Sequence, residues 1–221
     1  MRVGDDQWLE TLIQGARQFG VRVEHSQAVL MAGHADALLH WNRKTNLTRI
    51  VDPLEVAVKH FVDAIAPLAE IPECGELLDI GTGGGFPGLP LKIMRPDQSM
   101  LLIDGSRKKI SFVREVIRRL ALPAARAEQW RVEALGARVD CRHKFDVIVC
   151  RAWTHLQTAT RMALPLLASG GRLIVYQGPE DAPAEDVRQG AASVDGCVVA
   201  SLDYCLPFLG DRRSVKVLTH R

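Results

Sequence analysis

Residues Asp79–Gly88 read Asp-Ile-Gly-Thr-Gly-Gly-Gly-Phe-Pro-Gly, and they stand between a short apolar run and a helical pattern. Glycines at such a place let the backbone pass close to a bound nucleotide, because no Cβ is in the way. The alternative is a plain glycine-rich turn with a capping aspartate, which the number and spacing of the glycines disfavour. The stretch therefore predicts a nucleotide site at the carboxyl end of a strand.

Two kinds of nucleotide compete for this loop. Gly83, Gly85 and Gly88 satisfy the G-x-G-x-x-G pattern that places a pyrophosphate on a helix N-terminus. Counted from the strand, however, the pattern is acid-x-Gly-x-Gly-x-Gly, starting at Asp79 and Gly81. A carboxylate at the strand end repels a pyrophosphate but suits the cationic methionine moiety of S-adenosylmethionine, which is therefore the predicted cofactor.

Asp104 ends the next apolar run, where a carboxylate can accept both ribose hydroxyls of an adenosine. Nicotinamide and methyl-donor enzymes both use such a residue, so Asp104 does not discriminate between them. A nicotinamide oxidoreductase usually carries a separate substrate domain, and the chain after Leu173 is too short for one. That class of enzyme remains the less favoured alternative.

Short apolar runs alternate with helical periods from Glu76 onward, which is typical of a parallel sheet with crossover helices. Residues Ala124–Gln129 have poor β-propensity, but the topology of such a sheet requires a further strand there. We predict an α/β fold of the Rossmann-like class I methyltransferase type, with a seven-stranded, mostly parallel sheet flanked by helices. Its other strands are predicted at Leu77–Ile80, Met100–Ile103, Phe145–Cys150, Leu173–Tyr176, Val198–Tyr204 and Val215–Leu218.

The first third of the chain has helical spacing. One helix is predicted over Asp5–Phe19, a second is capped by Ser26 and runs to about Trp41, and a third starts at Asp52-Pro53. The third is expected to reach Leu68. We predict that residues 1–72 form a helical extension packed on a methyltransferase domain of residues 73–221.

Composition excludes several classes of protein. With 47% hydrophobic and 24% charged residues, the 221-residue chain has enough apolar residues for a sizeable core. No segment has the length and apolarity of a bilayer span, and the start lacks a signal-peptide pattern, so we expect a cytoplasmic protein without membrane association. The five cysteines form no C-x-x-C pair, so neither a disulfide framework nor a zinc site is expected.

Several separated motifs resemble the bacterial 16S ribosomal RNA guanine-N7 methyltransferase family, also known as glucose-inhibited division protein B. Gly85-Phe86-Pro87-Gly88-Leu89-Pro90 is the most specific of them. The others are Trp41-Asn42 with Asn46-Leu47-Thr48, His60-Phe61 with Asp63, Lys108-Lys109, Arg131-Val132-Glu133 and Cys150-Arg151-Ala152-Trp153.

The resemblance implies methyl transfer from S-adenosylmethionine to N7 of one guanine, guanine 527 in bacterial numbering, with S-adenosylhomocysteine as product. The partner implied is 16S ribosomal RNA, the 30S subunit or its assembly intermediate, and we expect a monomer. The implied RNA-binding residues are Lys108, Arg131 and Arg213, to which we add Trp153. Motif and resemblance together predict a cofactor site of Asp79, Gly81, Thr82, Gly83, Gly85, Phe86, Asp104, Val132, Glu133 and Arg151.

Three positions depart from the family's pattern. Members usually carry lysine at Gln177, phenylalanine at Trp153, and serine-leucine-glycine where Gly105-Ser106-Arg107 follow the ribose-binding aspartate. These departures leave the methyl-donor prediction intact and concern the local RNA contacts.

The chemistry of guanine N7 requires alignment, because this atom has an in-plane lone pair and no proton to remove. The Asn/Asp-Pro-Pro-aromatic motif of amino-group methyltransferases is replaced here by Cys150-Arg151-Ala152-Trp153. Arg151 is not a base at neutral pH, so we predict that it positions the substrate. Trp153 is equally compatible with stacking on a flipped base and with core packing.

A helix predicted over Ser106–Leu120 has an apolar stripe and a face of arginines and lysines. This face fits contacts with phosphates, although a formal net charge of +2 is weak evidence for a polyanionic partner, and an ordinary solvated face is the alternative. Two further functions stay open, namely methylation of a small molecule or protein, and nucleic-acid binding without catalysis.

Overall fold

The computed structural model describes residues 1–151, 155–178, 192–194 and 197–219. These residues form one sheet of eight strands in the order β3-β2-β1-β4-β5-β8-β7-β6. The strands are β1 Glu76–Ile80, β2 Ser99–Asp104, β3 Ala125–Gln129, β4 Phe145–Arg151, β5 Leu167–Gln177, β6 Ala192–Val194, β7 Cys197–Cys205 and β8 Arg212–Thr219.

The predicted seven-stranded sheet is confirmed, and the three-residue strand β6 extends it at the edge of β7. β1 to β5 pair in parallel, whereas β8 runs antiparallel between β5 and β7. The alanine-rich β3 forms because Met100 to Asp104 of β2 supply a complete row of parallel partners. Pairing with an existing strand outweighs its poor intrinsic propensity.

Besides short 3-10 turns, helices flank the sheet or precede it in the described part of the chain. They are α1 Asp6–Arg17, α2 His25–Asn42, α3 (consecutively Pro53–Glu55, Val56–Val62 and Asp63–Ile65), α4 Gly88–Met94, α5 Arg107–Arg119, α6 Val132–Gly136 and α7 Leu156–Ala163. The middle part of α3, Val56–Val62, is π-helical. Such widened turns occur often at functional sites, and Lys59 and His60 of this segment line the second pocket described below.

One helix start was predicted wrongly. Helix α2 is capped by Glu24 and not by Ser26, because the Glu24 N–H donates to Gln27 Oε1 at 2.9 Å, which places the start two residues earlier. The predicted start of α3 is confirmed, since the Asp52 carboxylate accepts from the Glu55 N–H at 3.0 Å and Pro53 follows as the first helical residue.

The core has two parts, one on each face of the sheet. Side chains alternate along each strand, so Leu77 of β1 joins the cluster beneath α1 to α5, whereas Leu78 joins the cluster beneath α6 and α7. The first cluster also contains Trp8 and Leu38 from the predicted extension. No helix in the described part of the chain is long and apolar enough to cross a membrane.

Candidate cofactor and substrate site

The site lies where the order of the parallel strands reverses. β2 and β3 follow β1 on one side of the sheet, and β4 and β5 lie on the other. The loops after β1 and β4 therefore leave the sheet in opposite directions and open a crevice at its carboxyl edge. The glycine-rich loop after β1 forms one wall of this crevice, and Arg151 at the end of β4 stands on the other.

The glycine-rich loop needs its glycines for backbone conformation and for space. Gly85 has a φ of +86°, and a Cβ there would clash with Leu89 Cδ1. Gly88 opens α4, and its Cβ would lie 2.5 Å from Asp79 Oδ2 and 2.7 Å from Leu102 Cδ2. The close packing of helix α4 on β1 and β2 thus requires glycine at position 88.

Asp79 is fully buried at the end of β1. Its Oδ2 accepts from the Gly88 N–H at 3.0 Å, while its Oδ1 is buried without a hydrogen-bond partner. Burial raises the pKa of this carboxyl group to about 7, against the opposing effects of the Thr82 side chain and then of the Gly88 hydrogen bond. A neighbouring cation would stabilise its ionised form, as the predicted interaction with a cationic methionine moiety requires.

Asp104 ends β2, and its carboxylate connects the glycine-rich loop after β1 to the residues that follow β2. Its Oδ1 accepts from the Ser106 N–H at 2.8 Å, and its Oδ2 accepts from the Gly83 N–H at 3.1 Å. Lys109 Nζ lies 3.6 Å from the same Oδ2. Each carboxylate oxygen has a second lone pair, so these contacts leave acceptors for ribose hydroxyls.

A first pocket of about 230 Å³ opens beside Asp104. It is lined by Ile80 and Gly81, by residues 103–105 and by residues 130–133. Apolar walls from Ile103 and Val132 with one carboxylate at the rim suit an adenosine. The residues present therefore fit the adenosine part of S-adenosylmethionine.

Phe86 links the loop to the helices of residues 1–72. Its ring stacks on the imidazoles of His34 from α2 and His60 from α3, with centroid distances of 4.6 and 4.5 Å. His34 Nε2 contacts the Gly84 carbonyl oxygen at 2.8 Å, so it carries the proton and donates. Burial lowers the pKa of His34 to about 4, which keeps this imidazole neutral. The loop is thereby fixed from the side opposite the sheet.

Arg151 places its guanidinium between the Phe86 ring and the end of α3. Its Cζ lies 5.2 Å from the ring centroid, and its Nη1 donates to the Lys59 carbonyl oxygen at 3.0 Å. Nη1 also lies 3.6 Å from Asp63 Oδ2. A charged group held at several points is suited to orienting a substrate, and its pairing with a buried carboxylate keeps it in place.

Arg151 lines a second pocket, of about 320 Å³. It is lined by Ile50, Lys59, His60, Asp63, Arg151, Tyr176, Gln177, Gly178 and Arg213. Asp63 is its most buried charged group: Oδ1 accepts from the Tyr204 hydroxyl at 2.9 Å, and Oδ2 lies 3.6 Å from both Arg151 Nη1 and Arg213 Nε. Burial raises the pKa of Asp63, and the two guanidiniums oppose that rise.

His60 is neutral in this arrangement. Arg151 Nη2 lies 3.3 Å from His60 Nδ1, which must accept because a guanidinium only donates, and Nε2 then donates to Thr48 Oγ1 at 2.9 Å. Burial, and then the charge of Arg151, lowers the pKa of His60 to about 2. His60 thus uses both ring nitrogens in hydrogen bonds within the protein.

The predicted RNA-binding residues lie in different places. Lys108 is exposed on α5, Arg131 is exposed at the rim of the first pocket, and Arg213 lines the second pocket. Trp153 lies outside the described residues. Part of the basic face of α5 is used within the chain, because Arg114 Nε donates to the Ala127 carbonyl oxygen at 2.7 Å.

Sequence reasoning assigned no function to Asp63, Lys59, Tyr176 or His34. A buried histidine or aspartate within a helix has no local pattern of its own, because its partners come from distant segments. The His60-Phe61 and Asp63 motif was the available signal for two of the pocket residues. Gln177 was noted only as a departure from a family pattern.

Two solved structures of methyltransferases are similar in fold to this chain. The O-methyltransferase from Bacillus cereus in complex with SAH matches with a TM-score of 0.63 and 15% sequence identity, covering 96% of this chain and 99% of that one. A SAM-dependent methyltransferase from Aquifex aeolicus matches with a TM-score of 0.57 and 14% identity, covering 80% and 97% of the two chains. At this level of identity the likeness shows the fold.

Sequence relatives are closer and cover nearly the whole chain. A protein named ribosomal RNA small subunit methyltransferase G from Geobacter sp. (strain M21) is 38% identical over 212 residues, which are 95% of this chain and 96% of the relative. One of the same name from Desulforamulus reducens is 35% identical over 211 residues, covering 94% and 88%. The family profile "GidB: rRNA small subunit methyltransferase G" matches residues 27–209. The chain therefore belongs to the GidB family of S-adenosylmethionine-dependent methyltransferases.

Proposed function

We propose that this protein transfers a methyl group from S-adenosylmethionine to N7 of one specific guanine of 16S ribosomal RNA. The substrate is the RNA in the 30S subunit or in its assembly intermediate. The observation that carries the proposal is the pair of pockets, one beside Asp104 and one lined by Arg151, within a family whose members are named for methylation of small-subunit ribosomal RNA.

The first pocket is assigned to the cofactor. When bound, S-adenosylmethionine supplies an electrophilic methyl group. Asp104 receives the ribose hydroxyls, residues 131–133 and Ile103 enclose the adenine, and Asp79 with Gly81 faces the methionine moiety. Thr82, Gly83 and Gly85 shape the loop, and Phe86 fixes it against the helices behind it.

The second pocket is assigned to the target base, and its residues favour N7 as the acceptor. Among the described residues that line it, Arg151 and Arg213 have guanidinium groups, which only donate hydrogen bonds, and His60 uses both ring nitrogens in hydrogen bonds. Guanine N7 attacks with its in-plane lone pair, the methyl carbon–sulfur bond breaks, and no proton has to leave. A pocket that orients a base and offers no free imidazole to remove a proton suits this reaction.

Three cations are assigned to the RNA backbone. Lys108 is exposed on α5, Arg131 is exposed at the first pocket, and the half-buried Arg213 lines the second pocket. A few phosphate contacts are enough to position the RNA when the shape of the ribosomal particle supplies most of the recognition. The modest net charge of the protein fits this mode of binding. Such a substrate implies a cytoplasmic enzyme. We also propose that it acts as a monomer, with residues 1–72 as an extension packed on residues 73–221.

The test is transfer of labelled methyl from S-adenosylmethionine to small subunits and to naked ribosomal RNA from cells that lack this protein, followed by mapping of N7-methylguanine. A single labelled guanine in 16S ribosomal RNA is the expected result. Label in protein or in a small molecule, with none in RNA, would replace the proposed substrate while keeping the cofactor.

A further inference from the structure

The second pocket contains a donor and an acceptor side by side. Arg151 Nη1 and Asp63 Oδ2 are 3.6 Å apart, and both groups line the pocket. Neither is free to turn away, because Arg151 is also held by the Lys59 carbonyl oxygen and Asp63 by the Tyr204 hydroxyl. The polarity of this part of the wall is therefore fixed before any substrate binds.

A third group in the same wall has an unsatisfied acceptor. Gln177 ends β5, and its Oε1 is buried without a hydrogen-bond partner among the described residues. A buried carbonyl oxygen without a partner costs free energy, and a donor from a ligand would recover it. The groups that this wall offers to a ligand thus include one donor, Arg151, one anionic acceptor, Asp63, and one neutral acceptor, Gln177. Arg213 Nε is a second donor, 3.6 Å from Asp63 Oδ2.

The Watson–Crick edge of guanine carries groups complementary to Arg151, Asp63 and Gln177. O6 is an acceptor, and N1–H and N2–H₂ are donors. Adenine presents a donor at N6 and an acceptor at N1, which oppose Arg151 and Asp63 in both positions. N7 is on another edge of the ring and stays free. Enzymes that act on an extruded base commonly read it by hydrogen bonds to this edge.

We propose that the second pocket selects guanine through its Watson–Crick edge: Arg151 donates to O6, Asp63 Oδ2 accepts from N1–H, and Gln177 Oε1 accepts from N2–H₂. Gln177 is then a specificity-determining residue. This inference rests on the proposed function, and it adds how the base is chosen and which edge must be unpaired before methylation. The target guanine must leave any Watson–Crick pair to react.

The experiment uses reconstituted small subunits whose target position holds guanine, inosine or 1-methylguanine. Inosine lacks only the N2 amino group, and 1-methylguanine blocks N1 while keeping O6, N2 and N7. The wild-type protein is expected to prefer guanine over inosine by about tenfold in kcat/KM, the effect of one hydrogen bond, and to leave 1-methylguanine unmodified.

Three variants separate base reading from a general structural effect. Gln177→Met keeps the length of the side chain but removes the acceptor, so guanine and inosine should react at nearly equal rates. Gln177→Glu keeps an acceptor and should keep the preference for guanine. Gln157→Met, on the exposed face of α7, is the matched control and should behave as wild type.

Equal wild-type rates on guanine and inosine, or normal methylation of 1-methylguanine, would overturn the inference while leaving the proposed function in place. A preference for guanine that survives Gln177→Met would remove Gln177 from base reading. Absence of N7-methylguanine from wild-type reactions on unmodified subunits would remove the proposed function itself.

Discussion

His34 gives the sharpest prediction about stability, because its imidazole is fully buried and its pKa falls from 6.5 to about 4 on folding. The unfolded chain binds a proton at this residue below about pH 6.5, and the folded chain does not do so until about pH 4. Stabilisation by neutral His34 is therefore complete above pH 6.5 and is lost as the pH falls toward 4. The loss corresponds to about 1.4 kcal/mol per pH unit, or about 3 kcal/mol over the whole interval.

The perturbation is His34→Gln, which keeps a donor for the Gly84 carbonyl oxygen and does not titrate. Urea unfolding followed by circular dichroism between pH 4.5 and 6.5 gives the free energy of unfolding of each protein at each pH. The slope of that free energy against pH should be smaller in the variant by the equivalent of about one proton. All other titrating groups are common to both proteins and cancel in the comparison.

His25→Gln is the control, because His25 is the first residue of the same helix and is exposed to solvent. Its slope should match that of the wild type. The reasoning is refuted if His34→Gln shows the wild-type slope, since this would mean that His34 takes up its proton equally well in the folded protein.

Three further predictions concern the site and its loop. Arg151→Ala should reduce labelled methyl transfer at least about 100-fold while the circular dichroism spectrum stays unchanged, since about 3 kcal/mol of orientation and charge is lost; near-normal turnover would remove Arg151 from the site. Asp104→Ala should weaken S-adenosylhomocysteine binding in calorimetry at least about tenfold, and unchanged affinity would place the ribose elsewhere. Gly88→Ala should lower the free energy of unfolding by about 1–3 kcal/mol, because the added Cβ would lie 2.5 Å from Asp79 Oδ2. Gly136→Ala on α6, where a Cβ meets nothing within 4 Å, should leave stability unchanged or slightly raised, and equal losses in both variants would refute the steric argument.

The fold class was predictable because its signals are local. The alternation of apolar runs and helical periods after Glu76 gave the parallel strands, and Asp79 to Gly88 with Asp104 gave the place of the cofactor. Strand β3 was also predicted despite its poor β-propensity, because the topology requires a strand beside β2. The start of α2 was missed because Ser26 has good intrinsic capping properties, whereas Glu24 forms its capping contact with Gln27.

The sequence by itself determined the sheet, the crossing helices and the glycine-rich loop, because periodicity, turn chemistry and glycine spacing act between near neighbours along the chain. Only the tertiary structure decided the second pocket. Asp63 meets Tyr204 across 141 positions and Arg151 meets Lys59 across 92, and no pattern within one segment encodes such pairings. The tertiary structure also decided the neutral state of His34 and the lack of a partner for Gln177 Oε1 among the described residues, because both depend on which distant groups surround these side chains.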